Sequence, residues 1–241
     1  MNRRIVACAL AAALLAGCNG LGARIELPAV ESGRGFLVSG EPETSGYGLY
    51  SYLLLGSPPD TAAGRQRYLM TIAAYLNFIS RIEDMKAAQV PDAELNIIYL
   101  FVTDMPPPQV TSIRAGGLPL DGDLAPAKWV LDHYDYARAR AILHTLPRAH
   151  PDGPYILSAR VPLTGKQSAP PDYLEQDLSH APADFAASWV KTFLAQFSAP
   201  TDWQAGRLRP AALAFIQTLT TLSTEYPQVQ RALEKWITVA G

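Results

Sequence analysis

The run LYSYLLL at residues 49–55 is apolar on both faces of an extended chain. Side chains alternate across a strand, so Tyr50, Tyr52 and Leu54 share one side while Leu49, Leu53 and Leu55 share the other. A strand without a polar face is stable only when both sides are covered, which marks an inner strand of a layered sheet. NIIYLFV at 96–102 reads the same way. Between the two, Tyr68, Ile72, Tyr75, Ile79 and Ile82 recur at three- and four-residue steps, with Leu69 and Leu76 widening the stripe. Arg67, Thr71, Arg81 and Asp84 lie opposite. This period predicts one amphipathic helix over 65–89 that packs on the sheet. Strand, long helix and second buried strand make a βαβ unit.

Working outward, Gly35–Ser39 is a second β-prone run, and the turn-forming residues Gly40–Gly46 predict a hairpin joining it to residues 49–55. Pro106-Pro107-Pro108 opens an irregular stretch to Pro126, long enough to read as a surface flap or a binding loop. Trp129–Tyr134 fits either a short strand or the first turn of a helix. Asp135 stands where an N-cap belongs, before the helix-forming residues 136–143. Tyr155–Val161 reads as a strand near a sheet edge, with Leu157, Ala159 and Val161 inward and Ser158 and Arg160 outward. Pro182 opens a helix whose stripe is Phe185, Trp189, Val190, Phe193, Leu194 and Phe197, and two further helices are expected at 210–224 and 227–238. The sum is one α/β (or α+β) domain over 33–241. It is expected to hold a mixed sheet of about five strands with a βαβ unit, flanking helices and a helical C-terminal segment.

Composition agrees with a folded domain, since 49% of the 241 residues are hydrophobic and only 17% charged, far from a disordered chain. A formal net charge of −2 argues against a nucleic-acid partner, which requires a concentrated basic face.

The first 18 residues have their own pattern. Arg3 and Arg4 precede an apolar stretch, Ile5–Ala16, that is too short to cross a bilayer as a helix of roughly 20 residues. Residues 1–17 therefore read as a secretion signal. Leu15-Ala16-Gly17-Cys18 resembles the lipobox of bacterial lipoprotein precursors. The resemblance implies a diacylglycerol on the Cys18 sulfur, cleavage after Gly17 and acylation of the new amino group; Asn19 implies sorting to the outer membrane. Residues 18–32 would then be the lipidated N-terminus and linker, and the membrane the first partner. Several acyl chains hold a protein on a bilayer where one is marginal. Cys8 leaves with the leader, so the mature chain would hold Cys18 alone, with neither a disulfide nor a cysteine metal site.

Chemistry is sparse elsewhere. In Asp132-His133-Tyr134-Asp135 an imidazole stands between carboxylates, the residue types of a general base, although neighbours in sequence point apart. His144 and His150 lack the spacing of a zinc pair, and no metal or cofactor is expected. Ser57 follows an inner strand as a nucleophile elbow would, yet LGSPP is not Gly-x-Ser-x-Gly, and Pro58 lacks the N–H that an oxyanion hole uses. If the inner strands are parallel, the loops Ser57–Asp60 and Thr103–Pro108 meet at one sheet end. Ser57, Asp60, Asp104 and His133 are accordingly the candidate contacts there, with Trp203 in a later loop. Two classes of function follow: a lipid-anchored module that binds an envelope protein or polymer, or a periplasmic, hydrolase-like enzyme. A pocket holding His133 within hydrogen-bond reach of Asp60 or Asp104 would favour the enzyme.

Overall fold

Six strands, β1 (Glu31–Val38), β2 (Leu49–Leu54), β3 (Ser80–Arg81), β4 (Leu95–Val102), β5 (Tyr155–Ala159) and β6 (Tyr173–Asp177), form one mixed sheet in the order β3-β1-β4-β2-β5-β6. The computed structural model describes residues 31–146, 153–166, 173–179 and 181–196. Cys18, Trp203, Phe197 and the helices expected at 210–224 and 227–238 lie outside the described residues. β1 pairs with β3 and β4, and β2 with β4, all parallel; β5 and β6 close the other side antiparallel. All eight residues of β4 and all six of β2 are buried, as two-sided apolar strands require. The sheet begins at Glu31, two residues inside the stretch expected to be linker.

Helices flank the sheet: α1 (Ala62–Phe78), α2 (Ile82–Ala87), α3 (Pro108–Thr111), α4 (Ala125–Asp132), α5 (Tyr136–Leu143) and α6 (Ala186–Gln196). On one face Leu53, Ile98 and Ile156 meet Tyr75 and Ile79 from α1 and its exit, and Val190 and Phe193 from α6. α4 packs beside α1. On the other face the Arg138 guanidinium of α5 lies 4.7 Å from the Phe101 ring centre. The Tyr75 hydroxyl donates to Ile98 O at 2.7 Å, and burial pushes its acidity well below that of a free phenol.

The expected hairpin does not form. β1 and β2 run parallel, separated by β4, and residues 39–48 return the chain as a strap across the sheet. Tyr47 in it is buried. The Glu43 carboxylate accepts from the Tyr52 hydroxyl at 2.8 Å and from Thr164 N at 3.0 Å. Gly and Pro announce a change of direction, not the partner strand; here docked side chains settle the route.

The helix expected over 65–89 is also interrupted. α1 ends at Phe78, Ser80–Arg81 pairs with Gly33–Arg34 as an edge strand, and α2 then resumes. Arg34 is the cause. Its side chain is only 2% exposed, and its guanidinium donates to the carbonyls of Leu76, Ile79 (2.6 Å) and Ile113. A cation at a helix C-terminus satisfies carbonyls that have no partner within the helix. Burial lowers the guanidinium below its usual pKa.

Three further differences have local causes. Trp129–Tyr134, which fitted strand or helix, belongs mainly to α4, with a single bridge from Tyr134 to Val102. The stretch 106–126 is no free flap: Gly116 N donates to Asn77 O, and Leu118 N to the buried Asn77 side chain at 3.1 Å. β5 has no wet face, since all five of its residues are buried, and β6 pairs along its outer edge. Ser158 is fully buried in a polar seam, where Ser51 Oγ donates to Asn96 Oδ1 at 2.8 Å and Ser158 Oγ lies 2.8 Å from Ser51 Oγ. With the Ser51 proton committed to Asn96, Ser158 donates to Ser51. Such a seam resists a one-residue slip, which would bury its hydroxyls against apolar groups.

Arg34→Met is expected to destabilise the domain by about 3 kcal/mol in urea denaturation, because each carbonyl left buried without a donor costs ~1–3 kcal/mol. Arg34→Lys restores less than half of that loss, since an ammonium cannot reproduce the fork.

Candidate functional site

The chain leaves the parallel strands β1, β4 and β2 at one end of the sheet, where open α/β sheets hold their ligands. Much of that end is filled by residues 133–138. Thr103 N donates to His133 O at 2.8 Å and Asp135 N to Phe101 O at 3.2 Å. The buried Asp135 carboxylate caps α5 through Arg138 N at 2.9 Å and accepts from Ser39 Oγ at 2.5 Å. Arg138 reaches back to Val38 O, Glu41 O and Thr164 Oγ1. The Tyr134 hydroxyl donates to Leu53 O at 2.9 Å and accepts from Leu55 N at 3.1 Å, closing the end of β2. Desolvation pushes its pKa far up, and that of Tyr136 up to about 12, so both phenols stay neutral.

His133 belongs to this plug. Its Nδ1 lies 2.8 Å from Trp129 O, which only a protonated Nδ1 can use as a hydrogen-bond partner. The ring stacks on Trp129 with centroids 4.2 Å apart and planes 11° off parallel. None of the carboxylates proposed as its partners binds it among the described residues. Asp132 pairs with Arg65 at 3.0 Å, Asp135 with Ser39 and Arg138, and Asp104 accepts from Thr103 Oγ1 at 2.8 Å. The carboxylate-flanked base is therefore a capping and stacking motif, because consecutive residues leave the chain in different directions. Among the described residues no group of three or more His, Cys, Asp or Glu side chains is placed to hold a metal ion.

What stays open lies beside the end of β2. Ser57, Pro58, Pro59, Asp60 and Thr61 of the outgoing loop, Gly64, Arg67 and Tyr68 of α1, and Ser179 just beyond β6 line a cleft of about 210 Å³. Thr61 is the N-cap of α1, accepting from Gly64 N at 3.0 Å. A Cβ on Gly64 would lie 3.0 Å from that hydroxyl, so the small residue and the cap fit together. Arg67 Nε donates to Ala181 O at 2.8 Å, tying the exit of β6 to α1, and Ser179 N donates to Asp177 Oδ1 at 2.8 Å. Arg67 and Asp60 form no ion pair with each other; the described ion pairs are Arg65–Asp132 and Arg81–Asp84. Among the described residues the Asp60 carboxylate and the Ser57 hydroxyl have no protein partner.

The structure thus brings Ser57 and Asp60 together and leaves Asp104 and His133, neighbours through Thr103, outside the cleft. Trp203 and Cys18 fall outside the described residues. Arg67, Tyr68 and Ser179 escaped the sequence reading. Arg67 reads as the solvent side of an amphipathic helix, Tyr68 as core, and Ser179 follows a strand without an apolar period.

Asp60→Asn is expected to leave stability within about 0.5 kcal/mol of the wild type, because among the described residues the carboxylate has no protein partner. Arg67→Met costs about 1 kcal/mol through the Ala181 carbonyl, and urea denaturation of both variants checks the pair.

No family model matches the chain, and no curated protein or solved structure matches it, so a functional reading rests on its own residues.

Proposed function

We propose that the protein is a lipid-anchored component of a bacterial cell envelope, tethered at Cys18 to the periplasmic side of the outer membrane, and that it works as a binding module. The observation that carries this reading is Leu15-Ala16-Gly17-Cys18 at the end of a charged-then-apolar leader. Residues 19–30 lie between the tether and β1, a reach of at most about 40 Å, so the domain works close to the bilayer. The cleft supports binding as its task. It is polar and open, with hydroxyls and two charges at its wall.

The test is the intact mass of the N-terminal peptide after expression in a bacterium with two membranes, together with the distribution between membrane and soluble fractions. A peptide starting at an acylated Cys18 in the membrane fraction is the expected result, and Cys18→Ser shifts the protein out of that fraction. A soluble chain that retains Met1 overturns the tether.

A further inference from the structure

We infer that the cleft beside the end of β2 binds a small zwitterion, a free amino acid whose carboxylate is held by Arg67 and whose ammonium is held by Asp60. The inference rests on the binding reading of that cleft and is independent of the tether.

Charge comes first. One guanidinium and one carboxylate line the same cleft, yet they form no ion pair with each other. A simple anion would satisfy Arg67 and face Asp60 across the cleft, and a simple cation would do the reverse. A ligand carrying both charges on groups attached to one carbon would offer a partner to Arg67 and to Asp60. Such opposed pairs contribute more to specificity than to raw affinity, by penalising the wrong charge pattern.

Hydrogen bonding agrees. Ser57 and Ser179 also line the cleft, and a hydroxyl can donate to a carboxylate and accept from an ammonium. The Arg67 side chain is held at Nε by Ala181 O. That anchor orients the guanidinium before a ligand arrives and lowers the ordering cost of binding.

Size and shape narrow the class. A cleft of about 210 Å³ falls below the ~300 Å³ at which pockets for drug-sized ligands begin. Pro58, Pro59 and Tyr68 supply its apolar surface, which suits a short side chain better than a sugar ring rich in hydroxyls.

Titration calorimetry on the full chain, purified in detergent where it is membrane-bound, tests this with four probes: glycine, L-alanine, acetate and ethylamine. Glycine and L-alanine are expected to bind saturably at millimolar concentrations or below, with acetate and ethylamine, each carrying half of the charge pattern, at least about tenfold weaker. Asp60→Asn, which leaves the fold intact, is expected to weaken the amino acids by about tenfold while sparing acetate. Binding of acetate as tight as that of L-alanine overturns the zwitterion while leaving a ligand-binding cleft. The absence of saturable heat with every probe overturns the inference as well. Both results are independent of the N-terminal mass, so failure of the tether and failure of the cleft are told apart.

Discussion

Arg34 sits in the first strand, and its guanidinium reaches three carbonyls that belong to other parts of the chain: Leu76 and Ile79 at the end of α1, and Ile113 in the long connection after β4. A cation taken out of water is costly, and it is tolerated here because the guanidinium donates to two oxygens at the negative end of a helix and to a third in the long connection. The consequence is topological. By drawing the end of α1 onto β1, Arg34 stops the helix, lets Ser80–Arg81 join the sheet edge and sets where α2 starts. It also pins the start of the 113–118 segment, which Asn77 then holds through Gly116 and Leu118. The sheet edge, the helix break and the course of a long loop therefore share one buried charge.

The layered architecture was legible because its signals are local and strong. The two-sided apolar runs at 49–55 and 96–102, the stripe of α1, the Asp135 cap and the Trp189–Phe193 face all follow from periodicity and capping chemistry. The remainder was hidden for physical reasons particular to each place. Ile79 is buried and Ile82 packs against the core on either side of the helix break, so the apolar pattern does not register it. The strap between β1 and β2 is composed like a hairpin turn, and only the docking of Glu43 and Tyr47 distinguishes them. Ser158 looked solvent-facing because a buried hydroxyl is ordinary once its partners, Ser51 and Asn96, lie on neighbouring strands. Of the site, Ser57 and Asp60 followed from fold logic, whereas Arg67 was disguised by its place on the polar side of α1. His133 had the residue types of a base between carboxylates, but neighbours in sequence point apart, and its ring stacks on Trp129 instead.

These constraints shape where a ligand can meet the protein. In a parallel sheet the carboxyl ends of the strands are the usual binding crevice, yet here Tyr134, Asp135 and Arg138 fill the space above β1 and β4 and hydrogen-bond to the ends of the strands. The long connection after β4, which composition marks as a surface flap or a binding loop, is tied to the end of α1 through Asn77. What is left is the cleft at the end of β2, lined by a proline-rich loop and the first two turns of α1. A domain held near a bilayer at Cys18 would present that cleft as its polar opening, which fits a module that holds a small ligand or passes it on.

Among the described residues, buried side chains lock the connections that follow β1 and β4, while the loop around the cleft is left open. Residue-resolved hydrogen exchange of the full chain tests it most directly. The account predicts that the amides of Gly116 and Leu118 exchange slowly and together with the core of α1, while those of Ser57 and Asp60 exchange near the rate of an open chain. Fast exchange at Gly116 and Leu118 with α1 still protected would contradict it. The 106–126 connection would then be a free loop, and the cleft would lose its standing as the open part of the site.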